Sequence, residues 1–275
     1  MWTLSGFGDE ISPDLETQCV TLDHLGIRHI ELRGAWNTNV LDLDEDHVAQ
    51  VGTTLAAHGI RVSSIASPIG KIGVPEDFQP HLARFRRALH LAAALHAPYV
   101  RVFSFLIPAG DDPARHRDEV MRRMTALAEA AAGHDVVLVH ENEKEIYGDI
   151  PERCLDVVES VGSDQLRLAW DPANFVQCGV RPFTEGYAML RPHLAYIQIK
   201  DAILSTAQVV PAGQGDGEVP ETLLALAADG FDGFFSIEPH LARAGKAGGF
   251  SGPDLFTAAT RAFTGLLDGY GLKFR

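Results

Sequence analysis

Cysteine is scarce in this chain of 275 residues: Cys19, Cys154 and Cys178 are far apart and form no C-x-x-C pair. An odd, scattered set disfavours a disulfide framework or a cysteine zinc site and leaves packing or incidental thiols. Long apolar runs are missing too, and none reaches the roughly 18 residues of a membrane helix. The opening Met1-Trp2-Thr3-Leu4-Ser5 has neither the basic stretch nor the apolar core of an export signal, so a cytoplasmic protein is expected. Positive charge is also short. Twenty-three Lys and Arg face 37 Asp and Glu, a formal net charge of −14. That balance argues against a sequence-independent grip on nucleic acid, which needs a basic surface. No linker, composition shift or low-complexity tract marks a boundary, so one domain over residues 1–275 is expected.

What is present is alternation. Short runs rich in β-branched residues or Phe occur near 3–7, 28–33, 60–66, 99–105, 136–140, 166–170, 195–199 and 233–238. Between them the spacing turns helical, as in 81–95 and 120–132. Pro13, Pro75, Pro113, Pro151 and Pro220 sit where helices should start. Gly26, Gly59, Gly133, Gly162 and Gly230 sit where they should stop. Eight strands alternating with helices over this length fit an α/β fold of the single (β/α)₈ (TIM) barrel type better than an open doubly wound sheet. The segments 107–112 and 241–253 read as loops. Gly213-Gln214-Gly215-Asp216-Gly217 resembles a phosphate loop, but it lacks the preceding strand and the G-x-G-x-x-G spacing, so it reads as a flexible loop.

Four of the strands end in polar groups that a buried strand has no reason to carry. Val136-Val137-Leu138-Val139 runs into His140-Glu141, Leu166–Trp170 into Asp171, Tyr196-Ile197 into Gln198, and Phe234–Ile237 into Glu238. Active sites of such barrels lie at the C-terminal strand ends, so these four side chains should converge. Three carboxylates in one pocket cannot all stay ionised without a cation among them. Oxygen-only donors point to a divalent metal held by Glu141, Asp171, Gln198 and Glu238: Mn²⁺ first, with Mg²⁺ or Co²⁺ as alternatives. Glu141 and Glu238 would then remove and return a proton next to a carbonyl. The plainer alternative is a set of structural ion pairs with Lys71, Arg101 or Lys200. Arg101, inside its strand, is expected to form an interior pair.

Further candidates flank the four. Glu143 and His240 each lie two residues past a proposed ligand and can share its inward face. Lys71 ends a tight turn after the third strand and can face a substrate. His140 should point away from the pocket by strand alternation, but at a frayed strand end it could reach the rim.

His140-Glu141-Asn142-Glu143, Asp171-Pro172-Ala173-Asn174, Ile197-Gln198-Ile199-Lys200-Asp201 and Glu238-Pro239-His240 together resemble the xylose-isomerase-like barrel superfamily of sugar isomerases and epimerases. That superfamily includes inosose isomerase, tagatose 3-epimerase and hydroxypyruvate isomerase. The resemblance covers nearly the whole chain and implies metal ligands in the order Glu, Asp, His, Glu, the glutamates doubling as acid and base. Gln198 stands in the histidine position. Asn174 stands where many members carry a second histidine that contacts substrate. The resemblance implies an isomerase or epimerase of a small sugar, keto-sugar or inositol derivative, working through an enediolate on a small-molecule carbohydrate. Some similar barrels instead cleave 3-keto glycosides as the catalytic subunit of C-glycoside deglycosidases, with a small β-sandwich partner subunit; a homo-oligomer is the other assembly expected. The third reading is a barrel that binds a sugar without turnover, Gln198 having disabled the metal site.

Overall fold

The computed structural model describes residues 1–243 and 248–275. Its centre is a sheet of eight strands: β1 (Thr3–Gly6), β2 (His29–Leu32), β3 (Arg61–Ile65), β4 (Tyr99–Val102), β5 (Val137–Glu141), β6 (Leu166–Trp170), β7 (Leu194–Ile199) and β8 (Phe234–Ile237). They hydrogen-bond in the order β1-β8-β7-β6-β5-β4-β3-β2, all parallel. A parallel bridge between Phe7 and Glu31 brings the two end strands together, so the barrel is nearly closed. Each of the eight apolar runs in the sequence corresponds to one strand.

A helix follows each strand: α1 (Leu15–His24), α2 (Glu45–Ala57), α3 (Phe78–Ala94), α4 (Arg117–Ala131), α5 (Pro151–Val161), α6 (Pro172–Gln177), α7 (Val219–Ala228) and α8 (Gly252–Gly269). Local chemistry sets their ends. Asp14, Asp44 and Asp77 cap the first three by accepting a backbone N–H of the first turn. Gly26, Gly59, Gly133, Gly162 and Gly230 leave their helices in the left-handed region, with φ from 61° to 83°. Among the described residues no helix is long and apolar enough to cross a membrane.

The period of two along each strand separates two interiors. Leu138, Leu168, Ile197, Phe235 and Ile237 face the helices and belong to the large apolar core. Val139, Ala169 and Tyr196 form a separate cluster inside the barrel, with Tyr99 and Phe234 against it. Aromatic rings make the barrel floor: Tyr99 meets Tyr196 at 5.6 Å between centroids and Tyr196 meets Phe234 at 5.8 Å. Above them comes a hydroxyl layer, in which Ser63 Oγ lies 2.7 Å from Ser5 Oγ and 2.9 Å from the Tyr196 hydroxyl. Charged residues come last, at the C-terminal mouth.

The loops hold one correction. The Gly213–Gly217 stretch is pinned. The Asp201 carboxylate accepts the N–H groups of Gly213 (2.9 Å), Gly215 (2.9 Å), Gly217 (2.8 Å) and Ala202 (2.8 Å). A Cβ on Gly217 would come within 2.6 Å of Asp201 Oδ1, so the glycines let the backbone close on that carboxylate. The expected loop over 241–253 includes residues 244–247, which lie outside the described residues.

Candidate active site

Glu141, Asp171, Gln198 and Glu238 sit at the ends of β5, β6, β7 and β8, and all four are buried. Glu141 Oε2 accepts from Arg101 (2.9 Å) and from Gln198 Nε2 (3.2 Å), and its Oε1 accepts from Asn174 Nδ2 (3.0 Å). Asp171 caps α6 through Oδ1, which accepts the Asn174 N–H at 2.9 Å. The Asn142 side chain clamps the Asp171 backbone from both sides, donating to its carbonyl and accepting its N–H, each at 2.9 Å. Gln198 Oε1 is buried without a hydrogen-bond partner.

The same period of two brings cations into this group. Lys200 Nζ lies 2.8 Å from Asp171 Oδ2 and 2.9 Å from Glu238 Oε2. Arg33, two residues past Glu31 at the end of β2, puts NH1 2.9 Å from Glu238 Oε1. Arg101 NH1 reaches Glu141 at 2.9 Å and Glu238 at 3.9 Å. Burial pushes the Lys200 pKa down, but Asp171, Glu238 and Glu141 outweigh it and hold the amine as an ammonium. Burial likewise pushes Glu238 up, and Lys200, His240 and Arg33 outweigh it, keeping this carboxyl well below the usual range. Glu31, one layer deeper, is the contrast. Burial raises it to about 8 despite Arg101 nearby, so it is a neutral acid at pH 7.

His240 joins the mouth to β1. Its Nε2 lies 3.2 Å from Glu238 Oε1 and 3.1 Å from Glu10 Oε1, and its backbone has φ of 48°. Glu10 is held in turn by Arg33 (3.3 Å) and the Ser251 hydroxyl (2.9 Å). Lys71 Nζ pairs with Glu143 at 3.2 Å and lies over the Phe103 ring at 4.3 Å. A cleft of about 340 Å³, lined in part by Arg33, Pro68, Lys71, Arg101 and Glu143, opens above these groups. Below it, and sharing Arg33, Lys71, Arg101 and Glu143 with it, is a niche of about 20 Å³ that Glu141, Lys200, Glu238 and His240 also line. That is room for about one water or one substrate oxygen.

The sequence-derived candidates therefore divide. Glu141, Asp171, Gln198, Glu238, Asn174, Lys71, Glu143 and His240 come together at the mouth. His140 does not. It faces the helix side of β5, buried, with neither ring nitrogen hydrogen-bonded, and a Cβ on Gly148 would come within 2.8 Å of its Nε2. Burial lowers its pKa to about 3, so it is a neutral ring in the wall. Strand alternation prevailed because Glu141 is still inside the strand, and no fraying turns His140 round. Arg33 and Glu10 are additions that sequence reading missed. The run Glu31-Leu32-Arg33 carried the signal for Arg33, since it repeats the polar-inward alternation of the other four strand ends.

Among the described residues, two groups of side chains are close enough to hold a metal ion: Glu141, Asp171 and Glu238, and Glu10, Glu238 and His240. The oxygen donors of the first, with the orphaned Gln198 Oε1, are right in type for a hard divalent ion. Their charge is already matched. Arg101 is on Glu141, Arg33 on Glu238, and Lys200 between Asp171 and Glu238. A divalent ion would have to displace the Lys200 ammonium from Asp171 and Glu238, because two cations sharing those oxygens at close range repel each other. As arranged, the cluster does not fit an added divalent ion. The requirement for a cation, read from the sequence, is met by the chain's own side chains.

Residues 21–259 match the family described as xylose isomerase-like TIM barrel, and the chain belongs to that family. No curated protein matches it by sequence. Among solved structures, a D-tagatose 3-epimerase-like protein is similar with a TM-score of 0.80 at 14% identity, covering 98% of each chain. The 3-keto-D-glucoside 4-epimerase of E. coli, in apo form, has a TM-score of 0.72 at 12% identity, covering 98% of this chain and 100% of that one. A xylose isomerase-like TIM barrel protein from Mycobacterium smegmatis, in complex with magnesium, has a TM-score of 0.71 at 21% identity, covering 97% of each. At such identities the likeness concerns the fold.

Proposed function

We propose that the chain is an isomerase or epimerase of a small sugar, keto-sugar or inositol derivative, acting by proton abstraction from a carbon next to a carbonyl. The observation that carries this reading is the niche at the floor of the cleft, where Glu141, Glu143 and Glu238 share one small space with several cations. A carbonyl oxygen seated there becomes negative as the neighbouring carbon loses its proton. Arg33, Arg101 and Lys200 are preorganised to receive that charge without solvent reorganisation. Glu238, held ionised, is the base for one face of the carbon. Glu141, which shares Arg101 with Glu238, serves the other face in this reading, and return of the proton by the opposite carboxyl inverts the centre. Asp171 positions Lys200, and Asn174 and Gln198 orient Glu141. Lys71, Glu143 and His240 line the path to the niche and are the proposed contacts to substrate hydroxyls. The Mn²⁺ expected from the sequence takes no part in these steps.

A second reading shares the first step and is favoured by His240, 3.2 Å from Glu238. From the same enolate, the bond to a β-oxygen substituent of a 3-keto glycoside breaks, and a proton from His240 releases it as an alcohol. The kinship of fold with a 3-keto-glucoside 4-epimerase supports trying such substrates.

The test is to incubate the protein in D₂O with a panel of ketoses, keto-inositols and 3-keto glucosides and follow each by proton NMR. Loss of the C–H signal next to the carbonyl with growth of an epimer supports the first reading. Release of an aglycone supports the second. If no member of the panel exchanges, isomerises or cleaves, both are wrong.

A further inference from the structure

We infer that Lys200 permanently takes the place of a divalent metal ion, so that this barrel works as a metal-independent member of its family. The metal half of this stands on geometry alone. The catalytic half, in which the ammonium and two guanidiniums stabilise the enediolate, rests on the function proposed above.

Lys200 Nζ contacts two of the three carboxylates of the acidic group at 2.8 and 2.9 Å, and its side chain is 2% exposed. The backbone that carries it is tied down. The next residue is Asp201, whose carboxylate is tied by four backbone N–H groups from the glycine-rich 213–217 segment and Ala202. That segment therefore acts as an anchor: it fixes the strand end from which Lys200 projects. Around the niche, among the described residues, Arg33, Lys71, Arg101 and Lys200 are already matched by Glu141, Glu143 and Glu238, with Asp171 also on Lys200 and Glu10 also on Arg33. A space whose carboxylates already carry cations offers a divalent ion no unmatched charge. The replacement at position 198 agrees: the amide points Nε2 at Glu141, spending a lone pair that a metal would need. Gln198 Oε1, left without a partner, then accepts a hydroxyl from substrate.

The experiment measures metal directly and needs no substrate. Metal content of the purified protein is read by inductively coupled plasma mass spectrometry. Mn²⁺ is then titrated into wild type, Lys200→Ala and Lys200→Arg, followed by calorimetry and by the electron paramagnetic resonance of free Mn²⁺. Wild type and Lys200→Arg are expected to carry and bind no stoichiometric Mn²⁺. Lys200→Ala should gain affinity on the order of 100-fold or more, because the like charge at the centre of the donors is gone. Thermal melts guard against an unstable variant. Lys200→Ala should melt lower and be raised again by Mn²⁺, whereas the wild-type midpoint should not move. Stoichiometric metal in purified wild type, or micromolar Mn²⁺ binding by it, overturns the inference. So does a Lys200→Ala variant that binds Mn²⁺ no better than wild type. Failure of the sugar panel with this metal pattern intact would sink the proposed reaction and leave the metal assignment standing.

Discussion

His140 and Glu141 are neighbours in sequence, both ionisable and both buried, yet they have opposite fates. Glu141 faces the barrel mouth, where Arg101, Gln198 and Asn174 all donate to it. His140 faces the helices, where neither ring nitrogen has a partner and burial keeps the ring neutral. The difference shows two ways of burying an ionisable group: supply the opposite charge, or suppress the charge. At the mouth the first holds, with carboxylates and cations interleaved. In the wall, and one layer down at Glu31, the second holds. Only the first leaves charge available for chemistry, and the strand period of two decides which one a residue meets.

Breaking the mouth's pairing should have the largest effect on stability. Arg101→Met strands Glu141 as a buried, uncompensated carboxylate, and loss of one partner of such a pair costs about 3–5 kcal/mol. Urea unfolding at pH 7 measures it. Adding Glu141→Gln to Arg101→Met should restore most of the loss, since the stranded charge is gone. A single variant within about 1 kcal/mol of wild type would mean that the mouth is not balanced as described.

The wall should respond to pH instead. The folded-state pKa of His140 is depressed to about 3, so its share of stability is complete above the unfolded value of about 6.5. That share is lost as pH falls from there towards 3, because only the unfolded chain takes up the proton. Between pH 6.5 and 5 the loss is about 2 kcal/mol. His140→Leu should remove that part of the acid destabilisation, which chemical denaturation at pH 7 and pH 5 would reveal. Turnover at pH 7 should be unaffected in any variant that folds. If the two proteins lose the same stability on acidification, His140 is charged or solvated in the native state.

Much of the fold was legible because its signals are local. Apolar runs placed the strands, and the five glycines marked helix ends through their left-handed φ. The convergence of Glu141, Asp171, Gln198 and Glu238 also followed from sequence, since parallel strand ends in a barrel share one rim. Arg101 and Lys200 were named from sequence as possible ion-pair partners and do sit on these carboxylates, but Arg33 and Glu10 were not. Arg33 reaches Glu238 across 205 positions of chain and Glu10 reaches Ser251 across 241, contacts that only closure of the barrel creates. The metal expectation is met in part here, since the carboxylates of Glu141, Asp171 and Glu238 are close enough to hold an ion. It rested on a sound charge argument, but Lys200, two residues past Gln198, supplies the cation from the same strand end.

The most direct test of the account is deuterium exchange at the substrate carbon next to the carbonyl, compared between wild type and Glu238→Gln. The amide keeps the shape of the side chain and one oxygen for Lys200 or Arg33, but it cannot accept the proton. Exchange catalysed by wild type should fall by a factor on the order of 10² to 10⁴ in the variant, the usual worth of a positioned base. Exchange at near wild-type rate in a folded Glu238→Gln protein would contradict it.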